Sequence, residues 1–216
     1  MTPRALCFDL DGTIVDIKPI RLANWLEVLR PHGIEVDMDV YREKMNDRTS
    51  EEVINELLPD LSDEEKEELL EAEAGRYRSR MIEAGAIVGL HKLLEEARAR
   101  GLRLALVTDT PEELARKSLK ALALTDAFEP MVFAEEMGVE KPDPTAYEAA
   151  LERLGISPEE ALAFEDSPKG VKAAVRAGIP VVGLVSTHKP DELREAGVEF
   201  VVGDFADQAL REQFDG

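Results

Sequence analysis

The chain has 216 residues, a length that suits one large domain or a core with a smaller inserted domain. Of these residues 44% are hydrophobic and 33% are charged, which suits a globular protein. Its formal net charge is -20 at pH 7, which argues against binding to nucleic acid or to anionic lipid, because both need a basic surface. No apolar stretch approaches the roughly 20 residues that cross a bilayer, and the single cysteine, Cys7, excludes an internal disulfide, so we expect a cytoplasmic protein.

The first predicted element is an apolar strand at residues 4–8, and Asp9 and Asp11 follow it directly. A strand that is apolar on both faces is typical of the centre of a parallel sheet, where ligands bind beyond the carboxyl ends of the strands. Two carboxylates this close repel each other unless a cation or a shared proton holds them together. Gly12 then permits a tight turn. The pattern predicts a functional site, against the alternative of a solvated Asp-Gly turn.

A long helical stretch follows these aspartates. Apolar residues at helical spacing predict four helices, at residues 20–29, 38–45, 50–58 and 62–81. Ser50 is the predicted N-cap of the third helix, and Ser62 and Glu65 form a capping box that opens the fourth. Residues 16–86 are therefore predicted to form a small all-helical cap domain.

Strands and helices alternate through the rest of the chain. Strands are predicted at residues 102–107, 130–133, 160–164, 179–185 and 200–202. Helices are predicted at residues 91–100, from 111 onward, at 144–154 and at 170–177. Such alternation is typical of a parallel sheet covered by helices on both faces. We therefore expect an α/β fold with a core domain of residues 1–15 and 87–216.

Polar residues follow four of the predicted strands, and a parallel sheet gathers them at one edge: Asp9 and Asp11, Thr108 and Asp109, Lys141, and Glu165 and Asp166. Magnesium-dependent phosphoryl transfer needs this set of groups. Mg²⁺ prefers oxygen ligands, and a carboxylate can attack phosphorus. A hydroxyl, backbone N–H groups and an ammonium can hold the phosphoryl oxygens as charge moves onto them.

Four short motifs stand at these strand ends, in this order: Asp9-Leu10-Asp11-Gly12-Thr13, Val107-Thr108, Lys141-Pro142-Asp143-Pro144 and Glu165-Asp166-Ser167. In order and spacing they resemble the motifs of the haloacid dehalogenase superfamily, and the helical stretch resembles its alpha-helical cap. The chain looks most similar to the beta-phosphoglucomutase and phosphoglycolate phosphatase group. The resemblance implies a Rossmann-like three-layer α/β/α core with a parallel sheet and an inserted all-helical cap domain.

The resemblance also implies a role for each motif residue. Asp9 would be the nucleophile and a metal ligand, and Asp11 would be the general acid and base as well as a metal ligand through its carbonyl. Thr108 would bind the phosphoryl group, and Lys141 would bridge that group and Asp9. Asp166 would bind Mg²⁺ with help from Glu165.

The same resemblance implies that the N–H groups of Gly12 and Thr13 would hold the phosphate. Two further candidates stand where the chain departs from the family pattern. Asp109 replaces the usual Asn or Ser and would contact the leaving group, and Arg48, in a segment that begins with Asn46 instead of glycine, would reach an anionic substrate.

Each assignment has an alternative that stays open here. The alternative for Thr108 is a residue that caps its strand, and the alternative for Lys141 and Arg48 is an exposed loop residue. For Asp109 the alternative is a side chain that points away from the site. The pair Glu165-Asp166 is also suited to cap the next helix. The three histidines are taken to be surface or structural residues: His32, His91 and His188.

The second aspartate separates the candidate reactions. A halide leaves without a proton, whereas an alkoxide needs one, so Asp11 argues against a dehalogenase. We expect a Mg²⁺-dependent phosphatase that hydrolyses a small phosphorylated metabolite through an aspartyl-phosphate on Asp9, as a monomer or homodimer. The alternatives are a beta-phosphoglucomutase-like phosphomutase and, from another class, a non-catalytic protein that binds a phosphorylated metabolite.

Overall fold

The computed structural model describes residues 3–45, 48–198 and 200–210. The chain divides into two compact units, one made of Met1–Asp16 with Gly85–Gly216 and the other of Ile17–Ala84. None of the helices in the described ranges is long and apolar enough to span a membrane.

The unit Ile17–Ala84 is helical. Its described residues form four α-helices: α1 (Lys18–Leu29), α2 (Met38–Lys44), α3 (Ser50–Leu57) and α4 (Asp63–Arg80). Trp25, Tyr41 and Ile54 belong to its apolar core, so the aromatic ring of Trp25 is a packing residue within this unit.

Two capping boxes fix the starts of α3 and α4. The Ser62 hydroxyl accepts the N–H of Glu65, whose carboxylate bonds back to the N–H of Ser62, as the sequence predicted. Thr49, not the predicted Ser50, caps α3, because Thr49 has extended backbone angles and its hydroxyl accepts the N–H of Glu52. Ser50 is instead the first residue of the helix.

The other unit contains a sheet of six parallel strands. The strands are β1 (Ala5–Phe8), β2 (Arg103–Thr108), β3 (Met131–Phe133), β4 (Ala161–Glu165), β5 (Val181–Leu184) and β6 (Phe200–Val202). Their order across the sheet is β3-β2-β1-β4-β5-β6, and every neighbouring pair is parallel. Ala5 pairs with Arg103 on one side and with Ala161 on the other, so β1 is central.

In the described part of this unit, five α-helices accompany the sheet: α5 (Leu90–Ala99), α6 (Glu112–Ala121), α7 (Thr145–Leu154), α8 (Pro168–Arg176) and α9 (Pro190–Ala196). Successive side chains of β1 point to opposite faces of the sheet. Cys7 packs in the cluster that contains residues of α7 and α8, whereas the Phe8 ring lies against Phe128, Phe164 and Phe205. Because both faces of β1 are fully buried, its sequence is apolar throughout.

The predicted α/β fold with a parallel sheet is confirmed. The six predicted strands are all present, and their ends differ from the predictions by at most two residues. The helix α9 was not predicted, although Pro190 in its first turn and the acids Asp191 and Glu192 are typical of a helix start.

Candidate active site

The predicted acids and Lys141 meet at the carboxyl ends of the central strands. Asp9 directly follows β1, while Glu165 is the last residue of β4, which pairs with β1. Lys141 comes from the loop that follows β3, and its ammonium donates three hydrogen bonds, one of them to a carbonyl oxygen of β2.

Lys141 is the hub of this site. Its Nζ donates to Asp9 Oδ1 at 2.6 Å, to Glu165 Oε1 at 2.7 Å and to the carbonyl oxygen of Val107 at 2.9 Å. Only 6% of the lysine is exposed, which rules out the alternative of a surface loop residue. The ammonium therefore has a fixed position beside the Asp9 carboxylate.

Glu165 is held from two further sides. The Tyr147 hydroxyl donates to its Oε1 at 2.6 Å, so this oxygen serves both Tyr147 and Lys141. The other oxygen, Oε2, is buried without a hydrogen-bond partner among the described residues. A Cβ atom at Gly170 would lie 1.9 Å from Oε2, so only glycine leaves room for this carboxylate. The next helix is capped by Ser167, not by Glu165 or Asp166.

The turn after β1 packs directly against Asp166. Gly12 has a φ of 82°, and a Cβ atom there would lie 2.0 Å from Asp166 Oδ2. The Thr13 hydroxyl lies 3.5 Å from Asp166 Oδ1, as a donor at the limit of hydrogen-bond distance. The N–H of Gly12 donates to Val15 inside the turn at 2.8 Å. Gly12 thus provides close approach, and phosphate binding by its N–H stays a prediction.

Asp11 is joined to the end of β2 through two threonines. The Thr110 hydroxyl donates to Asp11 Oδ2 at 2.9 Å, and the Thr110 N–H donates to the Thr108 hydroxyl at 3.0 Å. The Thr108 hydroxyl therefore caps the end of β2, which was the alternative to phosphoryl binding. A hydroxyl that accepts one bond still has its proton to donate, so Thr108 keeps the capacity to bind a phosphoryl oxygen.

Asp109 is exposed, but its carboxylate accepts hydrogen bonds from the backbone. Both of its oxygens accept the backbone N–H of Lys141, each at 3.2 Å. The carboxylate therefore holds the loop that carries the lysine. Contact between Asp109 and a leaving group stays a prediction.

Burial and mutual repulsion raise the pKa values of the clustered acids. Burial raises the pKa of Asp9 well above its ordinary value; Lys141 opposes this, and Glu165 and Asp166 add to it. Burial likewise raises the pKa of Glu165, and it raises that of Asp166 to about 7. Burial acts to lower the pKa of Lys141, but the neighbouring carboxylates outweigh it, so its pKa lies above the usual value and it stays charged.

The acid cluster fits a divalent cation. Asp9, Glu165 and Asp166 are buried, and each offers a carboxylate oxygen within 4.8 Å of the others. Ionised, these three carry three negative charges against the single positive charge of Lys141, which leaves an excess of two. The donor set is entirely oxygen, which suits a hard ion such as Mg²⁺. The orphan oxygen of Glu165 is a further sign that this carboxylate has a partner still to bind.

Comparison with known proteins places the chain in a family. The family model described as haloacid dehalogenase-like hydrolase matches residues 6–184. The chain belongs to the haloacid dehalogenase-like hydrolases.

Two relatives of this hydrolase are named phosphatases. It is 32% identical to validoxylamine A 7'-phosphate phosphatase of Streptomyces hygroscopicus subsp. limoneus, over 88% of this chain and 90% of that protein. It is 33% identical to the phosphorylated carbohydrates phosphatase of Thermotoga maritima, over 92% and 93%. Among solved structures, CbbY from Rhodobacter sphaeroides in complex with phosphate matches with a TM-score of 0.73 and 26% identity, over 95% and 96%. The predicted superfamily and its Rossmann-like fold are thus confirmed.

Arg48 of this haloacid dehalogenase-like hydrolase is engaged within the helical unit. Its guanidinium forms an ion pair with Glu56 and donates to the carbonyl oxygens of Lys44 and Glu52. Asn46 and Asp47, which precede it, lie outside the described residues. The binding of an anionic substrate by Arg48 stays a prediction.

Sequence reasoning missed several residues that contact the predicted ones. Tyr147, Thr110 and the run Ser186-Thr187-His188 all bond to motif residues or to the turn after β1. His188, taken as a surface or structural residue, is buried. The available signal was positional, since Ser186 to His188 follow β5, the strand next to β4. Hydroxyl residues are common in loops, however, so this signal is weak without the structure.

Proposed function

We propose that this hydrolase is a Mg²⁺-dependent phosphatase that acts on a small phosphorylated metabolite through an aspartyl-phosphate on Asp9. One observation carries the proposal: the buried Asp9 carboxylate is held at 2.6 Å by Lys141 and shares a three-carboxylate cluster with Glu165 and Asp166. This arrangement offers a nucleophile and a cation site at the same atoms.

The class of enzyme predicted from the sequence, a phosphoric monoester hydrolase, is confirmed by the family match and by the named phosphatases. The names of those relatives specify a phosphorylated carbohydrate and a phosphorylated natural product. They support a small phosphorylated molecule as the substrate. The structure of CbbY with phosphate supports a phosphoryl site on this fold.

In the first step, an oxygen of Asp9 attacks phosphorus and the bond from phosphorus to the ester oxygen breaks. Asp11, protonated at this stage, gives its proton to the departing oxygen, so the alcohol leaves neutral. The Thr110 hydroxyl, 2.9 Å from Asp11 Oδ2, orients the carboxyl group. The product of this step is an acyl phosphate on Asp9.

In the second step, water attacks the acyl phosphate. Asp11, now ionised, takes a proton from the water, and the bond between phosphorus and the Asp9 oxygen breaks. Inorganic phosphate is released, and both aspartates return to their starting states. One residue thus serves as acid and then as base, which suits a single carboxyl group two residues from the nucleophile.

Lys141 provides fixed positive charge beside Asp9. It opposes the effect of burial on the Asp9 pKa and so favours the ionised carboxylate that attacks. Asp9, Asp166 and Glu165, with the backbone carbonyl of Asp11, would hold Mg²⁺. The bound ion would supply further positive charge for the phosphoryl oxygens.

The test is hydrolysis of p-nitrophenyl phosphate with and without Mg²⁺. We expect turnover with Mg²⁺ and its loss in EDTA. Asp9→Asn should lower turnover by at least about 10³-fold, since it removes the nucleophile, while its circular dichroism spectrum stays native. Metal-independent turnover, or a substantially active Asp9→Asn variant, would contradict the proposal.

A panel of phosphorylated metabolites separates the remaining alternatives. Release of inorganic phosphate supports the phosphatase, whereas conversion of a hexose 1-phosphate to the 6-phosphate, followed by ³¹P NMR, indicates a phosphomutase. A protein that binds one of these compounds and turns over none is a binding protein. The role of the helical unit as a cap that selects the substrate stays a prediction. The same panel, repeated on Arg48→Ala, tests whether Arg48 contacts the substrate.

A further inference from the structure

Three consecutive polar residues after β5 are buried at the edge of the candidate active site. Ser186, Thr187 and His188 are each 8% exposed. Burial of polar groups is unfavourable unless they are hydrogen-bonded, so the bonds of this run show what it contributes. Because β5 is paired with β4, the run lies beside the loop that carries Asp166.

Each of the three residues bonds to one of two loops of the site. The Ser186 hydroxyl donates to the carbonyl oxygen of Gly12 at 2.5 Å. The Thr187 hydroxyl donates to Oδ2 of Asp166. His188 Nδ1 lies 2.8 Å from the carbonyl oxygen of Asp166, which can only accept, so Nδ1 carries the proton. The run therefore joins the turn after β1 to the loop after β4.

The contact of Thr187 is the one that bears on the carboxylate. Thr187 bonds to Asp166 Oδ2, while the Thr13 hydroxyl approaches Oδ1 at 3.5 Å, so the plane of the carboxylate is set mainly by Thr187. The Thr187 methyl group is also close to the turn, since a Cβ atom at Gly12 would lie 2.9 Å from it.

We propose that Thr187 is a positioning residue for the cation site, holding the Asp166 carboxylate in the orientation in which it binds Mg²⁺. The proposal rests on the proposed function, because it concerns the same metal. Residues that hydrogen-bond to metal ligands commonly change metal affinity about 10- to 100-fold when they are replaced. The hydroxyl of Thr187 bonds to the carboxylate of Asp166 and not to that of the nucleophile, so its loss should affect metal binding more than the chemistry of Asp9.

The test is isothermal titration of MgCl₂ into the metal-free protein. Thr187→Val keeps the shape of the side chain but removes the hydroxyl, and should weaken Mg²⁺ binding about 10- to 100-fold. Thr187→Ser keeps the hydroxyl and should stay within about threefold of the unmodified protein. At saturating Mg²⁺ the kcat of Thr187→Val on p-nitrophenyl phosphate should return to within a few-fold of the unmodified value.

Thr110→Val is the matched control. Thr110 is also 8% exposed and also bonds to an aspartate, Asp11. The bond is to the carboxylate of Asp11, which is outside the three-carboxylate cluster, whereas Asp11 would bind Mg²⁺ through its backbone carbonyl. Its Mg²⁺ affinity should be unchanged. Equal Mg²⁺ affinity in Thr187→Val and the unmodified protein overturns the proposal and leaves the phosphatase intact. Absence of Mg²⁺ binding to the unmodified protein overturns the phosphatase proposal itself.

If Thr187→Val does not fold, Thr187→Ala is titrated in its place, with the same expected weakening. Failure of both variants to fold, while Thr187→Ser folds normally, makes the hydroxyl a structural requirement of the β5–α9 loop and overturns the positioning role.

Discussion

At the scale of single residues, the carboxylates of the site differ in their hydrogen-bond partners. Asp9 and Glu165 share the Lys141 ammonium, Asp166 is bonded by a threonine, and Asp11 is bonded by a different threonine. Groups of one chemical type thereby acquire different tasks. The nucleophile has an adjacent positive charge, whereas the carboxylate of the proposed acid and base accepts a hydrogen bond from a neutral hydroxyl.

The role of Asp11 predicts a dependence on the leaving group. Nitrophenolate is a stable anion that leaves without a proton, whereas a sugar alkoxide needs one. In Asp11→Asn the first step should survive with p-nitrophenyl phosphate and the second should slow about 10²- to 10⁴-fold. Stopped-flow absorbance should therefore show a burst of about one nitrophenolate per protein, whereas rapid-quench analysis of a sugar phosphate should show no burst of free sugar.

Asp109→Asn is the control for simple loss of charge near the site. Because Asp109 bonds to the backbone of Lys141, its replacement should slow both substrates to the same extent. An Asp11→Asn variant that also slows both substrates equally, without a burst, would remove the acid and base assignment.

The raised pKa of Asp166 predicts a pH dependence of stability in the absence of metal. Its pKa is about 7 in the folded protein against 3.8 in its ordinary state, so between these pH values the folded chain binds a proton that the unfolded chain has lost. The contribution of this group to stability therefore falls as the pH rises toward 7, by roughly 1.4 kcal/mol for each pKa unit of the shift.

Asp166→Asn isolates this contribution. In EDTA, the free energy of unfolding of the variant relative to the unmodified protein should increase by a few kcal/mol between pH 5 and pH 8. Urea denaturation at each pH measures it. Excess Mg²⁺ should abolish the loss in the unmodified protein, since the cation favours the ionised carboxylate. A difference that does not change with pH would show that Asp166 titrates normally.

At the scale of elements, glycines in two helices should respond oppositely to the same change. In α8, a Cβ atom at Gly170 would lie 1.9 Å from Glu165 Oε2, whose side chain is fixed by Lys141 and Tyr147. Gly170→Ala should therefore destabilise the protein by about 1–3 kcal/mol and reduce turnover. In α4, Gly75 has no atom within 4 Å of its Cβ position, so Gly75→Ala should stabilise by up to about 1 kcal/mol.

Urea denaturation followed by circular dichroism, with turnover of p-nitrophenyl phosphate, tests this pair. Each substitution adds one methyl group to a helix, so helix propensity alone predicts the same sign for both. A Gly170→Ala variant as stable and active as Gly75→Ala would show that the Glu165 carboxylate moves without cost.

The elements that the sequence predicted best are those whose signal is local. β1 is apolar on both faces and is followed by a change to polar residues, and the box of Ser62 and Glu65 satisfies helix donors within four residues. Pairing of β1 with β4 joins residues 156 positions apart, such as Ala5 and Ala161, and no local pattern encodes it. Asp9 and Lys141 were predictable because each is a charged residue in a segment that follows a strand. Thr187 was not predictable, because nothing in its local sequence indicates a contact with Asp166.

At the scale of the whole molecule, excess negative charge opposes compaction. The chain has 46 acidic against 26 basic residues, a formal net charge of -20 at pH 7. Surface ion pairs such as that of Lys117 with Glu113, at 2.6 Å, offset only part of this. Salt weakens the attraction within these pairs, which lowers stability. Salt also weakens the repulsion among the unbalanced carboxylates, which raises stability. With 20 unbalanced charges, the repulsion should be the larger effect.

The thermal midpoint of the metal-free protein at pH 7.5 should therefore rise by a few degrees between about 10 and 300 mM NaCl, as the Debye length falls from about 30 Å to below 10 Å. Differential scanning calorimetry in EDTA measures it. At pH 5 some of the carboxylates are protonated, so the net negative charge is smaller and the same change in salt should have a smaller effect. This comparison separates charge screening from a general effect of salt on apolar burial. A midpoint that falls with salt at pH 7.5 would mean that the paired charges outweigh the unpaired ones, despite the excess of acid.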